Sequence, residues 1–208
     1  MNTLYHFFCK FAPLDQHEWE AARAAFQIRK LKKGEYLVEE GQVCRQIAFV
    51  AQGLLRLFYR LHGEEKIMLF FGEQSLASDY FSFLTGTKSI RPVQALEACE
   101  LYCISAEALE ELYRFKNWER VGRRLSEMAY TFAVQRANRL LHDDHDTRYL
   151  TLLREQPDLI RSVPQYMIAS YLDMKPETLS RVRKRIARKQ GQENDSVHQP
   201  LKNNPFAR

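Results

Sequence analysis

No run of this 208-residue chain approaches the roughly 20 consecutive apolar residues that a membrane-spanning helix requires. The first ten residues have neither a basic lead nor a long apolar stretch, so no signal peptide is expected. Cysteine is scarce, at Cys9, Cys44, Cys99 and Cys103, and no two form a CxxC pair. With no sign of secretion, reduced thiols in a cytoplasmic protein are expected. Cys9 stands alone near the N-terminus, without the closely spaced partners an iron–sulfur cluster needs. No glycine-rich phosphate loop and no GxSxG elbow occurs, which removes the commonest nucleotide-hydrolysing and serine-hydrolase classes. No internal repeat is visible. Histidine is nearly absent from 31–104, where His62 stands alone in what reads as a turn. A barrel enzyme with metal-ligating histidines on its strands is therefore not expected. The one metal-like cluster, His142-Asp-Asp-His-Asp146, has a simpler reading as a polar hinge whose acids cap the next helix.

What is present is an ordinary globular mixture, 45% hydrophobic and 27% charged, with enough apolar material for a core. Net charge is +5, and its distribution matters more than its size. Lys175, Arg181, Arg183, Lys184, Arg185, Arg188 and Lys189 face one acid, Glu177, within 175–189, so this segment carries +6 and the remainder about −1. Such concentration suits a polyanionic partner.

The pattern along the chain changes twice. From Thr3 to Arg29, Leu14, Trp19, Ala22 and Phe26 recur at helical spacing. From Lys30 to Ile104, short β-rich runs (Glu35–Val38, Gln46–Val50, Leu54–Leu61, Lys66–Phe71, Leu101–Ile104) are punctuated by glycine turns, which points to a β-roll or barrel. Helix returns after Ser105, a candidate N-cap. A long helix over 117–141 carries Val121, Leu125, Met128 and Phe132 on one side. That seam packs either on its own roll or on a two-fold copy. A further helix covers 147–155. The segment from Gly191 is rich in Gln, Asn and Pro, and is expected to be disordered.

The segment 163–186 carries the functional reading. Ile168 and Leu172 share one face of a short helix, and Ala169 is small where two helices must approach. Asp173 sits at a turn and tolerates a left-handed backbone. Pro176 suits the first position of a second helix, whose buried stripe is Leu179, Val182 and Ile186. The opposite face presents Glu177, Ser180, Arg181 and Lys184. In a helix-turn-helix this start of the second helix meets base edges. Arginine pairs bidentately with guanine, and glutamate accepts from cytosine N4. Lys175, Thr178, Arg183, Lys184, Arg185 and Arg188 flank that face and suit phosphate contacts.

Together these features resemble the Crp/Fnr family of regulators, over about 31–186. Lys33-Gly-Glu-Tyr-Leu-Val-Glu-Glu-Gly41 and Ile47-Ala-Phe-Val-Ala-Gln-Gly-Leu-Leu-Arg-Leu57 resemble the opening of the cyclic-nucleotide-binding roll. Phe83-Leu-Thr-Gly86 and Val93-Gln-Ala-Leu-Glu-Ala-Cys-Glu-Leu101 resemble its later cassette, and Glu177-Thr-Leu-Ser-Arg181 resembles the Fnr-type recognition motif. The resemblance implies an α+β chain with four parts. They are a sensor roll with flanking helices (1–116), a dimerisation helix and hinge (117–142), a helix-turn-helix domain (143–190) and a tail (191–208). It implies a non-enzymatic homodimer on double-stranded DNA, with RNA polymerase as a further candidate partner and base readers Glu177, Ser180 and Arg181. The wing usual in the family is mostly missing. In the effector pocket, Ser78-Asp79 stands where the family's cyclic-AMP cassette has Gly-Glu, and Ser89 where it has arginine. Arg91 is nearby, but two residues along a strand would move its charge about 7 Å. Cyclic AMP is thus not expected, no other cofactor or metal is assigned, and any small-molecule effector is of unknown identity. The second reading is a ligand-binding signalling module that acts through a protein partner without DNA readout.

Overall fold

The computed structural model describes residues 1–197, with side chains described through Lys189. The chain divides into two compact units, 1–135 and 136 onward.

In the first unit, α1 (Asn2–Cys9) and α2 (Gln16–Ala25) precede eight strands. These are β1 (Gln27–Leu31), β2 (Tyr36–Val38), β3 (Gln46–Gln52), β4 (Leu55–Leu61), β5 (Glu64–Phe71), β6 (Leu76–Ala77), β7 (Val93–Ala95) and β8 (Cys99–Ser105). A short helix, α3 (Tyr80–Thr85), interrupts them after β6, and α4 (Ala106–Leu112) and α5 (Lys116–His142) follow. The strands form two antiparallel four-stranded sheets, ordered β1-β8-β3-β6 and β2-β7-β4-β5, the roll that the glycine-punctuated runs predict. Leu37, Val50, Leu55, Leu57 and Leu101 fill its interior. The first four residues of β4 are all buried, three of them apolar and the fourth Arg56, whose guanidinium pairs with Glu65 and Gln94. His62 and Gly63 both adopt positive φ between β4 and β5, the backbone of a two-residue type I′ hairpin.

The predicted helix over Thr3–Arg29 is corrected in two places. Residues 10–15 break it around Pro13, and Gln27–Leu31 is a strand. β1 is an edge strand, and its ladder with β8, from Gln27↔Cys103 to Leu31↔Cys99, supplies backbone partners that helical spacing does not reveal. A second apolar cluster joins Leu4, Phe8, Phe26, Phe49, Trp118 and Val121. Glu18 organises its polar edge. Its carboxylate accepts from Asp15 N (3.1 Å), Asn117 N (3.3 Å) and Asn117 Nδ2 (2.9 Å). It thereby completes the capping box of α2 and satisfies an otherwise unpaired donor at the start of α5. Ser105 caps α4 through Ala108 N, as predicted.

The second unit begins inside α5 and holds α6 (His145–Glu155), α7 (Pro157–Ser162), α8 (Gln165–Tyr171) and α9 (Pro176–Val197). Asp144 caps α6 by accepting from Thr147 N at 2.8 Å, so the acidic run is a hinge with a cap. Pro157 occupies the first turn of α7, where its missing N–H matters least. α9 continues through Gly191 to Val197 instead of ending in an irregular tail there. The rest of that predicted tail, 198–208, lies outside the described residues. Among the described residues no helix is long and apolar enough to cross a membrane.

Cys44, Cys99 and Cys103 are buried and Cys9 is half-buried. Burial pushes the Cys103 thiol up to about 11, and raises that of Cys99. Alkylation of native protein at pH 8 should therefore modify Cys9 first and leave the other three until the protein is unfolded, as mass spectrometry would show.

Candidate nucleic-acid interface

The turn between α8 and α9 is built from backbone hydrogen bonds. Leu172 ends α8, and Asp173 takes φ 53°, the left-handed conformation predicted for it. Asp173 N donates to Ser170 O (3.1 Å) and Met174 N to Ala169 O (2.9 Å). This is the paired pattern of a Schellman turn, which satisfies the orphan carbonyls of α8. Pro176 then opens α9. Ile168, Ala169, Leu172, Leu179, Val182 and Ile186 are all buried, Ala169 completely. The faces of α8 and α9 that sequence spacing assigned to the interior thus meet there.

With that stripe inward, α9 turns Glu177, Arg181, Lys184, Arg188 and Lys189 to solvent and leaves Thr178, Ser180 and Arg183 partly covered. Lys175 is exposed just before the helix. Arg181 Nε lies 3.4 Å from Glu177 O, a weak contact within its own helix that leaves the guanidinium terminus free to pair elsewhere. Arg185 differs from the others. Its guanidinium pairs with Asp146 of α6 (Nε to Oδ2 2.7 Å), and that carboxylate holds the arginine pKa up. Arg185 is therefore already engaged in pinning α9 to α6, and its expected phosphate role is second to that tie.

The four predicted effector-pocket residues lie in the first unit. Ser78, Asp79 and Ser89 are buried. Ser89 Oγ donates to Asp79 Oδ2 at 2.6 Å, and Arg91 Nη2 pairs with Asp79 Oδ1 at 2.7 Å. Ser78 stands apart from that trio, 3.4 Å from Cys44 Sγ. The expectation that Arg91 would be carried away along a strand is corrected. Residues 89–92 are a bend, not a strand, and Ser89 Oγ accepts from Arg91 N at 3.0 Å. That bend folds the guanidinium back over Asp79 and onto the Phe81 ring, 5.3 Å from its centroid. The cation and the carboxylate that were expected in an effector pocket thus neutralise each other.

The predicted seam divides along α5. Val121 is buried and Leu125 half-buried in the apolar cluster of their own unit, so these two pack inward on their own chain. Met128 and Phe132 are 51% and 42% exposed, beside Tyr130 and Val134, and remain open on α5. Sequence reasoning missed a cleft of about 370 Å³ between α3, α4 and α5. Along it the Tyr80 hydroxyl meets Ser126 Oγ at 2.9 Å, which joins α3 to α5. Gly122 lies at its floor because a Cβ there would fall 2.5 Å from the Tyr113 ring.

Residues 28–114 match the cyclic nucleotide-binding domain family. No curated protein sequence matches the chain. Among solved structures, a protein of the crp/fnr family from Eubacterium rectale superimposes with a TM-score of 0.66 at 16% identity, over 88% of each chain. The c-di-GMP-responsive global regulator CLP of Xanthomonas campestris gives 0.62 at 19%, over 85% of this chain and 93% of its own. FixK2 of Bradyrhizobium japonicum gives 0.61 at 18%, over 79% and 86%. The chain therefore has the Crp/Fnr architecture, a cyclic-nucleotide-binding-like roll followed by a C-terminal helical domain.

Removing Arg91 would leave Asp79 buried with only Ser89 for company. Arg91→Ala should destabilise the protein by about 3 kcal/mol, the lower end for breaking a buried pair because Arg91 is itself partly exposed. Urea denaturation would measure it, and Asp79→Asn in the same background should recover part of the loss.

Proposed function

We propose that this chain, which has the Crp/Fnr fold, is a sequence-specific, non-enzymatic transcription regulator that binds double-stranded DNA in the cytoplasm as a homodimer. One observation carries the reading. The Schellman turn and the buried Leu179–Val182–Ile186 stripe present Glu177, Ser180 and Arg181 together on the first two turns of an otherwise basic helix. That is the part of a recognition helix that enters a major groove. Arg181 reads guanine, Glu177 accepts from cytosine N4, and Ser180 serves either. Lys175, Thr178, Arg183, Lys184 and Arg188 hold the phosphates, and Arg185 supports them from its tie to Asp146. Met128 and Phe132 form the part of α5 that meets the second copy. Their exposure supports this, since contiguous exposed apolar side chains on a long helix favour a partner. RNA polymerase is the expected downstream partner.

Cyclic AMP is not the effector in this reading. A cyclic phosphate needs an available cation when it leaves water. Ser89 has no charge, and the Arg91 guanidinium is held by Asp79. Any effector of this roll must either separate that pair or bind elsewhere.

Selection from a random duplex library should return a dyad-symmetric consensus with half-sites about one helical turn apart. No dyad consensus would overturn the proposal. Arg181→Ala should weaken binding by about 1–3 kcal/mol and relax preference at one position of each half-site. Unchanged preference would remove Arg181 from the base readers.

A further inference from the structure

Among the described basic side chains of α9, Arg185 is the one that pairs with a carboxylate. Arg181, Lys184 and Arg188 recur at spacings of three and four on the face opposite the buried Leu179, Val182 and Ile186. Arg185 follows Lys184 and stands one turn beyond Arg181, at the edge of that basic stripe. The place suits a phosphate contact, and the residue is exposed. Yet its guanidinium turns to α6. Nε donates to Asp146 Oδ2 at 2.7 Å and Nη2 donates to Asp146 Oδ1. Asp144, which caps the same helix through Thr147 N, sets a second negative charge beside it.

The geometry of this pair decides what Arg185 can do. A single-point ion pair at a surface holds little, but here one carboxylate occupies the guanidinium fork at two points. A phosphate would use that same fork through two of its own oxygens. Asp146 and a DNA phosphate are therefore alternative partners for the same N–H groups. Asp146 has the advantage of being tethered. It lies in the first turn of α6, its side chain is only 21% exposed, and α6 packs on α9 within one unit. An intramolecular partner held in place competes at high effective concentration.

We infer that Asp146 withholds Arg185 from DNA and so limits the sequence-independent part of the affinity, which leaves binding more dependent on the base contacts of Glu177, Ser180 and Arg181. Asp146 is a positioning residue for specificity and touches no base. The inference rests on the DNA-binding reading proposed above. Non-specific binding comes essentially from phosphate neutralisation. A helix docked loosely on a wrong sequence lets any free cation find a phosphate, whereas a cation satisfied inside the protein adds nothing to that term.

The test measures affinity for the selected duplex and for a random-sequence duplex over a range of salt concentrations. The full chain is used as wild type, Asp146→Asn, Asp146→Asn with Arg185→Ala, and Glu155→Gln. Asp146→Asn should steepen the slope of log K against log salt by about 0.9 for each protomer whose Arg185 reaches a phosphate. It should tighten binding to the random duplex by about fivefold at about 0.1 M salt, and lower the preference for the selected one. Adding Arg185→Ala should return the slope to the wild-type value. Glu155→Gln makes the same charge change at the far end of α6, about 14 Å along the helix and beyond the Debye length of about 10 Å at 0.1 M, and should leave the slope alone. The slope is the readout, because a loss of folded protein lowers log K by about the same amount at every salt concentration. Asp146→Ser removes the same charge and keeps the test open should Asp146→Asn fold poorly. If wild type selects no dyad site, the DNA-binding reading fails. If wild type binds its site but loss of the Asp146 charge leaves slope or preference unchanged, or Glu155→Gln steepens the slope equally, the inference is refuted while that reading stands.

Discussion

Burial of Leu179, Val182 and Ile186 against α6 and α8 is the constraint on which the functional end of the molecule depends. A helix of this period has one face to bury, and the choice of face decides what the other presents. Here three aliphatic residues at spacings of three and four leave the glutamate and arginine of the first two turns outside, with the serine partly covered beside them. The turn before them reinforces the choice. Asp173 in a left-handed conformation, with Met174 N and Asp173 N closing on α8, sets the angle at which α9 leaves. The Asp146–Arg185 pair then holds α9 to α6.

The β-roll solves a different problem. Asp79 is almost wholly buried, and a buried carboxylate without a partner is costly. Arg91 supplies an opposite charge and Ser89 a hydrogen bond to Oδ2, while Asp79 Oδ1 and Arg91 Nε make no hydrogen bond. α3 begins at the residue after Asp79, and the Tyr80 hydroxyl meets Ser126 on α5. Asp79 and its partners are therefore adjacent in the chain to the segment that contacts α5.

Much of the fold was legible because the signals were periodic. The glycine-punctuated β runs, the Ser105 cap and the two faces of α9 follow from residue spacing. β1 was not legible, because Gln27–Leu31 becomes a strand through pairing with β8, a non-local effect that a local window cannot contain. The polar face of α9 could be read for the same reason as its core. The place of Arg91 could not be, since a bend held by one serine hydroxyl reverses the expectation from strand geometry. Val121 and Leu125 had the spacing of a seam but face their own core, because helical period reveals that a face is buried and not by what. The contacts of Arg136 and Arg148 left no mark at all, because their acceptors are backbone carbonyls, which every residue carries.

The most direct test of DNA reading by α9 is the salt dependence of binding to the selected duplex. Each phosphate neutralised by a basic side chain contributes a slope of about −0.9 to log K against log salt concentration. With Lys175, Arg183, Lys184 and Arg188 engaged in at least one protomer, the slope should be about −3.6 or steeper, and Lys184→Ala and Arg188→Ala should each make it shallower. A slope near zero, or one that these substitutions leave unchanged, would contradict the account.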